Sequence, residues 1–196
     1  LNVIDDDICI AMKESGVTSI SCGIESGSNE MLKKMKKSLT IETIKEKTHL
    51  LNKYDIDWHA FVMVGLPYEN LKDINATRIL LRELKPTTVY LSIFTPYPGS
   101  VLFKETEDLG MLPNNYDWGD FSHQNLNNHF VANISKEDFK EIVLDMFLEF
   151  DKYNLAFDNL FRKAIKRKKY YFENPGHFAS IVLSKFKDKF QHQYKP

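Results

Sequence analysis

Apolar and polar positions follow two different spacings along the first half of the chain. Stretches with apolar residues three or four positions apart, such as Ile8, Ala11 and Met12, predict amphipathic helices. Short runs rich in β-branched residues predict strands. The run over residues 58–64 is almost wholly apolar, which is typical of a strand buried on both faces. The pattern predicts helices over residues 4–15, 40–54 and 71–84, a helix that begins after Ser28, and strands over residues 17–24, 58–64 and 88–94.

Helices of this length between consecutive strands indicate parallel strands joined by right-handed crossovers. The predicted fold class is therefore α/β, either an open sheet or part of a β/α barrel. Three strands are too few to close a barrel.

The second half of the chain has a different pattern. Pro113 and two pairs of asparagines predict an irregular connecting segment over residues 106–134. The Ser-x-x-Asp sequence that begins at Ser135 predicts the start of a long helix to about residue 169, and a last helix is predicted over residues 175–190. The predicted organisation is an α/β part over residues 1–105, the connecting segment, and a helical extension over residues 135–196.

Composition narrows the classes of protein that the chain can represent. The 196 residues are 43% hydrophobic and carry a formal net charge of −1, which suits one domain with a core. No apolar run is long enough to span a membrane, and the acidic start does not resemble a signal peptide. We expect a cytoplasmic protein and, because the chain begins at Leu1 rather than Met, a piece of a longer one.

Cys9 and Cys22 lie in apolar surroundings, which predicts two buried thiols rather than a disulfide or a metal site.

Each predicted strand ends in an unusual loop. The loops read GIESGS over residues 23–28, GLPYEN over residues 65–70 and TPYPGS over residues 95–100. In parallel α/β proteins, ligands bind beyond the carboxyl ends of the strands. One such loop is most simply a structural turn, whereas three on the same rim predict a binding site.

These three motifs, in this order and with this spacing, resemble the second half of the core of radical S-adenosylmethionine (radical SAM) enzymes. The resemblance covers residues 1–105 and rests on GIESGSNEMLKKMKK, FVMVGLPYEN and YLSIFTPYPGSVLF. It is strongest to the group that contains cobalamin-binding radical SAM proteins, oxidative-cyclase-like enzymes and methylthiotransferases. It implies that the three strands are the fourth, fifth and sixth of a six-stranded partial (β/α)6 TIM-like barrel.

The resemblance also implies cofactors and site residues. In the family, a 4Fe-4S cluster held by three cysteines binds S-adenosylmethionine and cleaves it to a 5′-deoxyadenosyl radical. Glu25 matches the position where relatives place Glu or Gln beside the cofactor, and Lys37 matches a base that pairs with the cofactor's carboxylate. The backbone over residues 62–65 and 94–96 would hold the adenine. The implied cofactor-binding residues are Gly23, Glu25, Ser26, Ser28, Lys37, Val62, Val64, Gly65, Phe94, Thr95 and Pro96.

Some features depart from the family pattern. Tyr68 stands where the family usually has Gly, and Asn70 where it usually has Thr. The C-x-x-x-C-x-x-C motif that holds the cluster is absent, so no metal ligand and no catalytic residue is predicted here. Lys37 also has a simpler interpretation, because it ends a lysine-rich run typical of a solvated helix face.

The resemblance predicts an enzyme when intact: a radical SAM oxidoreductase or methyltransferase that acts on a small organic substrate. Cobalamin, which part of the group uses, stays an open further cofactor. Because the cluster ligands are absent, this chain alone is expected to be inactive. The alternative is a non-catalytic α/β binding or scaffold module.

Two further expectations concern partners. The basic run over residues 162–169 is either a nucleic-acid contact or a solvated helix end. The helical tail argues against a tRNA substrate, and a nucleic-acid partner is not expected. The strand over residues 17–24 has an open edge in the implied barrel, so we expect self-association, or coverage by residues 1–5 or by the tail.

Overall fold

Three parallel strands and the helices between them form the first part of the fold. The computed structural model describes residues 1–113, 119, 121–166, 168, 172, 175–176 and 180. The chain divides into two compact units, Leu1–Asn154 and Leu155–Pro196. The elements are α1 Asp6–Glu14, β1 Ser19–Glu25, α2 Asn29–Lys34, α3 Ile41–Lys53, β2 Asp57–Val64, α4 Leu71–Leu84, β3 Thr88–Ile93, α5 Val101–Asp108, α6 Lys136–Asn154 and, in the second unit, α7 Phe157–Lys166.

Polar side chains fix where the helices begin. Asp5, Ser28, Thr40 and Asn70 each accept a hydrogen bond from a backbone N–H in the first turn of α1, α2, α3 and α4. Such caps satisfy N–H groups that have no partner within the helix. Because caps are local, the predicted bounds of these helices are confirmed to within two residues. The predicted bounds of the three strands agree equally well.

The sheet has the order β1-β2-β3, and both pairs are parallel. One face packs on the helices, with Trp58, Val62 and Val64 of β2 almost fully buried. Phe139 of α6 belongs to the same core. This architecture confirms the predicted α/β class.

The opposite face of the sheet is open in the described chain. Phe61 of β2 is 41% exposed and Tyr90 of β3 is 46% exposed, while His59 and Met63 are half-buried. The prediction that residues 58–64 are buried on both faces is therefore wrong. An apolar run reports the chemistry of a strand, and it does not reveal whether this chain supplies both covering layers.

The outer edge of β3 is closed by non-strand groups. The side-chain amide of Asn154, at the end of α6, accepts from the N–H of Val89 (2.9 Å) and donates to its carbonyl (2.8 Å). Further along, the N–H of Ile93 donates to the carbonyl of His123 at 2.7 Å. Asn154 thus imitates a neighbouring strand and satisfies the backbone of β3.

The second half of the chain differs from prediction in two places. The turn after Gly99 leads into α5, which is capped by Ser100, so the irregular segment begins later than the pattern suggested. Ser135 does cap α6, accepting from the N–H of Asp138 at 3.1 Å, but α6 ends at Asn154 rather than near residue 169. Most of the helix predicted over residues 175–190 lies outside the described residues, and the first part of the basic run over residues 162–169 belongs to α7. Within the described part of the chain, no helix is long and apolar enough to cross a membrane.

Candidate functional site at the carboxyl ends of the strands

An ion pair lies at the carboxyl end of β1. Nζ of Lys37 donates to Oε1 of Glu25 at 2.8 Å. Glu25 has a φ of 63° and follows a register shift in the β1–β2 pairing, which turns its side chain back over the strand. A Cβ on Gly23 would lie 2.6 Å from Oε1 of Glu25. Gly23 therefore provides the space that the carboxylate occupies.

The side chain of Lys37 reaches Glu25 because α2 ends in a Schellman turn. The N–H of Lys36 donates to the carbonyl of Lys33 (3.0 Å), and the N–H of Lys37 donates to that of Leu32 (2.9 Å). Lys36 has a φ of 55°, the left-handed conformation that this motif requires. The turn places Lys37 beyond the helix and directs its side chain to Glu25.

The loop after Glu25 packs tightly on α4. Ser26 is fully buried, and its hydroxyl lies 3.4 Å from Oγ1 of Thr77 and accepts from the N–H of Ser28. The N–H of Gly27 donates to Oγ1 of Thr77 at 2.8 Å. A Cβ on Gly27 would lie 2.4 Å from the carbonyl oxygen of Ala76, so only glycine fits this approach. Ser26 and Ser28, which caps α2, therefore form the frame of the loop.

The loop after β2 surrounds a buried carboxyl group. Oε2 of Glu69 accepts from the N–H groups of Gly65 and Leu66, the latter at 3.3 Å. Glu69 is fully buried, and among the described residues its Oε1 has no hydrogen-bond partner. Burial raises the pKa of Glu69 to about 8, outweighing the two N–H donors that lower it. Glu69 thus holds the Gly65–Leu66 backbone while keeping its proton near neutral pH.

Gly65 has a φ of 92°, and a Cβ there would lie 2.7 Å from the ring of Phe139 on α6. The carbonyl of Val64, the last residue of β2, accepts from the N–H of Phe94, the first residue after β3, at 2.7 Å, so the two strand ends stay together at the rim. The side chains of Val62 and Val64 face the buried core, so only their backbone is available to a ligand at the rim.

Residues of the connecting segment hold the loop after β3 in place. Phe94 belongs to an apolar cluster with Leu66, Phe121 and Phe130. Oγ1 of Thr95 donates to the carbonyl of Ile93 (3.2 Å) and accepts from the amide of Asn128 at 3.2 Å. Thr95 and Pro96 are both buried. These contacts fix the backbone over residues 94–96 and leave its side chains in structural roles.

Of the cofactor-binding residues that the resemblance implies, Gly23, Glu25 and Lys37 lie together in the structure. The others lie along the carboxyl ends of the three strands. Tyr68 is one of the departures from the family pattern. Nζ of Lys34 lies over its ring, 4.7 Å from the centroid of the Tyr68 ring. Asn70, the other departure, caps α4 as a Thr there would.

Sequence analysis missed Gly27, Thr77 and the buried state of Glu69. Gly27 and Glu69 stand in the quoted motifs, but their contacts depend on α4 and on burial. Thr77 carries no local signal at all.

The two cysteines do not form a metal centre. Cys9 in α1 and Cys22 in β1 are both buried free thiols. Burial raises the pKa of Cys22 to about 11, which disfavours the thiolate that binds metals. Within the described residues no group of three or more His, Cys, Asp or Glu side chains could hold a metal ion. The described residues therefore do not fit an iron–sulfur cluster.

Comparison with known proteins gives a consistent result. The family model of the radical SAM superfamily matches residues 2–81. A tRNA-2-methylthio-N(6)-dimethylallyladenosine synthase of Thermosipho africanus (strain TCF52B) is 33% identical over 101 residues, which are 50% of this chain and 24% of that protein. An anaerobic magnesium-protoporphyrin IX monomethyl ester cyclase of Rubrivivax gelatinosus is 29% identical over 104 residues, covering 53% of this chain and 19% of that protein. The chain spans about a quarter or less of the length of these relatives.

A solved structure supports the fold. Coproporphyrinogen III oxidase (HemN) of Escherichia coli, described as a radical SAM enzyme, matches with a TM-score of 0.53 at 13% identity. The match covers 77% of this chain and 30% of that one. At this identity the likeness concerns the fold alone. The resemblance drawn from the three motifs and the partial-barrel architecture are both confirmed.

Proposed function

We propose that this chain, whose residues 2–81 match the family model of the radical SAM superfamily, belongs to that superfamily and supplies the S-adenosylmethionine side of its active centre. The observation that carries the proposal is the Glu25–Lys37 pair above Gly23, at the carboxyl end of a parallel strand. The intact protein would be an oxidoreductase or methyltransferase that acts on a small organic substrate.

The rim residues have distinct roles in this proposal. The ammonium of Lys37 neutralises the carboxylate of S-adenosylmethionine, and Glu25 accepts hydrogen bonds from the methionine or ribose end. Only one N–H of Lys37 is needed for Glu25, so the others can serve a ligand. Backbone over residues 62–65 and 94–96 flanks the adenine, although the N–H of Gly65 is already engaged by Glu69. When bound and reduced, S-adenosylmethionine supplies a 5′-deoxyadenosyl radical for hydrogen abstraction.

Because Cys9 and Cys22 do not fit a cluster, we propose that its ligands lie outside these 196 residues and that this chain alone is inactive. Anaerobic reconstitution should leave the purified chain without stoichiometric iron and sulfide. Cluster absorption that depends on Cys9 or Cys22 would contradict this. The Rubrivivax gelatinosus relative is named for a porphyrin, which supports a small organic substrate here, whereas the Thermosipho africanus relative is named for an adenosine of tRNA. Cobalamin remains an open further cofactor.

The binding role can be tested with three variants. Charge-assisted hydrogen bonds contribute about 1.5–3 kcal/mol, so Lys37→Ala and Glu25→Ala should each weaken S-adenosylmethionine binding by about ten- to a hundredfold. Lys33→Ala, an exposed lysine of α2, is the matched control and should bind as the parent does. Calorimetric titration of the cluster-loaded protein that contains this segment measures the affinities. Unchanged affinity in Lys37→Ala would return that lysine to a solvated surface role, and unchanged affinity in both would remove the site.

We also propose that the open edge of β1 recruits a partner strand. Among the described strands, β1 pairs with β2 alone, and unpaired edges are templates for further strands. The purified chain should therefore self-associate in sedimentation experiments as its concentration rises. A chain that stays monomeric at all concentrations would contradict the proposal.

A further inference from the structure

Helix α7, Phe157–Lys166, divides its residues between an apolar and a polar face. Successive residues of an α-helix are rotated by about 100°, so the face of each position follows from the sequence. The apolar positions fall within one sector about 140° wide, and they are Phe157, Leu160, Phe161, Ala164 and Ile165. The opposite sector holds only polar residues, which are Asp158, Asn159, Arg162, Lys163 and Lys166.

The apolar face of α7 is exposed to solvent. Phe157 is 77% exposed, Phe161 is 55% exposed and Ile165 is 49% exposed. The rings of Phe157 and Phe161 stack with centroids 5.8 Å apart and planes inclined by 14°. Asn159, in the polar sector, is buried. The helix therefore presents a continuous apolar strip to solvent, whereas a helix of a globular protein normally turns such a face to the core.

The sequence around this strip is strongly basic. Residues 157–169 contain six basic residues and one acidic residue, in a chain whose formal net charge is −1. Aromatic and aliphatic residues on one face and Lys or Arg on the other are typical of helices that lie in the interface of a bilayer. Ten residues of α-helix are about 15 Å long, about half the thickness of the hydrocarbon core. Helix α7 is therefore long enough to lie in the interface and too short to cross it.

Other partners would use only part of this arrangement. A nucleic acid would pair with the basic residues and would leave the apolar strip in water. A second copy of the chain would cover the strip, but it would also bring two strongly basic segments together, and like charges repel. An anionic bilayer accepts both parts, because its headgroups attract the bases and its acyl chains bury the rings.

We propose that α7 binds the surface of an anionic membrane. The helix lies in the headgroup layer, with Phe157, Phe161 and Ile165 inserted towards the acyl chains and the basic residues at the lipid phosphates. The inference is independent of the proposed function, because α7 contains none of the residues assigned to S-adenosylmethionine.

Co-sedimentation of the full chain with two kinds of vesicle tests the proposal. One kind is pure phosphatidylcholine, and the other is phosphatidylcholine that contains phosphatidylserine. The chain should bind the vesicles with phosphatidylserine about tenfold or more tightly than the neutral ones. Binding should weaken as salt is raised, since charges at a surface are screened.

A double variant tests insertion of the strip. Phe157→Ser with Phe161→Ser should weaken binding to the phosphatidylserine vesicles by about tenfold or more, because two buried rings are lost. Leu148→Ser is the matched control, since Leu148 is an apolar residue of α6 that is 62% exposed, and it should bind as the parent does. Circular dichroism of each variant verifies that it is folded.

A second pair of variants tests the charge. Lys163→Glu with Lys166→Glu should remove the preference for phosphatidylserine. Lys72→Glu with Lys140→Glu changes the net charge by the same amount at exposed lysines of α4 and α6, and it should keep the preference.

Absence of binding to both kinds of vesicle, equal binding to the two, or undiminished binding by the phenylalanine variant would overturn the proposal. Binding to single-stranded RNA that the lysine variant loses and the phenylalanine variant keeps, without vesicle binding, would assign the basic residues to a nucleic acid instead. A dimer that the phenylalanine variant dissociates, again without vesicle binding, would assign the strip to a second copy of the chain.

Discussion

Replacing Glu69 with Gln should change how the stability of the chain depends on pH. Glu69 is fully buried, and its pKa is raised from an ordinary value of 4.5 to about 8. The folded chain therefore binds this proton more tightly than the unfolded chain. The stabilisation is fully present below pH 4.5 and is lost as the pH rises through 8, because only the unfolded chain can release the proton in that window.

The size of the effect follows from the shift. One pKa unit corresponds to about 1.4 kcal/mol, so the carboxyl group could remove at most about 5 kcal/mol across the window. Gln has the same shape and can accept from the N–H groups of Gly65 and Leu66, but it does not ionise. The variant should be similar to the parent or slightly less stable near pH 5.5, and more stable by a few kcal/mol near pH 9.

Urea unfolding from pH 5.5 to 9, followed by circular dichroism, measures the free energy of unfolding of both proteins. The difference between them is the useful quantity, since other titrating groups contribute equally to both. Glu46→Gln, in which a side chain that is 65% exposed is replaced, is the matched control and should give a flat difference. If the free energies of unfolding of the parent and Glu69→Gln varied in parallel with pH, the idea that burial raises the pKa of this carboxyl group would be refuted.

Three further outcomes are expected. Gly27→Ala should lower the free energy of unfolding by about 1–3 kcal/mol, because its Cβ would meet the carbonyl of Ala76; an unchanged unfolding midpoint would contradict the tight loop packing. Asn154→Ala should cost about 1–3 kcal/mol and accelerate hydrogen exchange at the Val89 amide, and unaltered exchange would argue against edge capping. Cys22 should react with iodoacetamide far faster in urea than in the folded chain, since burial raises its pKa to about 11; rapid native labelling would disprove its burial.

The elements that sequence analysis located well are those fixed by local chemistry. Ser28, Thr40 and Asn70 cap their helices through hydrogen bonds to residues two or three positions ahead, and such signals are readable in any short window. Helix α4 has the predicted bounds, Leu71–Leu84, for this reason. Glu25 and Lys37 were identified as site residues through resemblance to a family, because nothing local relates two residues twelve positions apart.

Other features depend on contacts between distant segments. The exposure of Phe61 could not be read from an apolar run, because a strand has the same composition whether its second face is covered by this chain or by something else. The need for glycine at position 27 arises from Thr77 and Ala76, about fifty residues later, on a helix whose approach no pattern specifies. The protonation of Glu69 likewise depends on complete burial, and a Glu in a polar loop motif gives no sign of that.

The two edges of the sheet differ in a way that bears on where the rest of the site would form. At β3, Asn154 satisfies both backbone groups of Val89, and the carbonyl of His123 accepts from Ile93, so the edge offers little to a further strand. At β1, the described chain supplies no neighbouring strand other than β2, so the outer edge of β1 is unpaired. A sheet closed at one edge can be extended only at the other. Any added strand, from the same protein or a second copy, would lie beside Gly23 and Glu25 and therefore next to the Glu25–Lys37 pair.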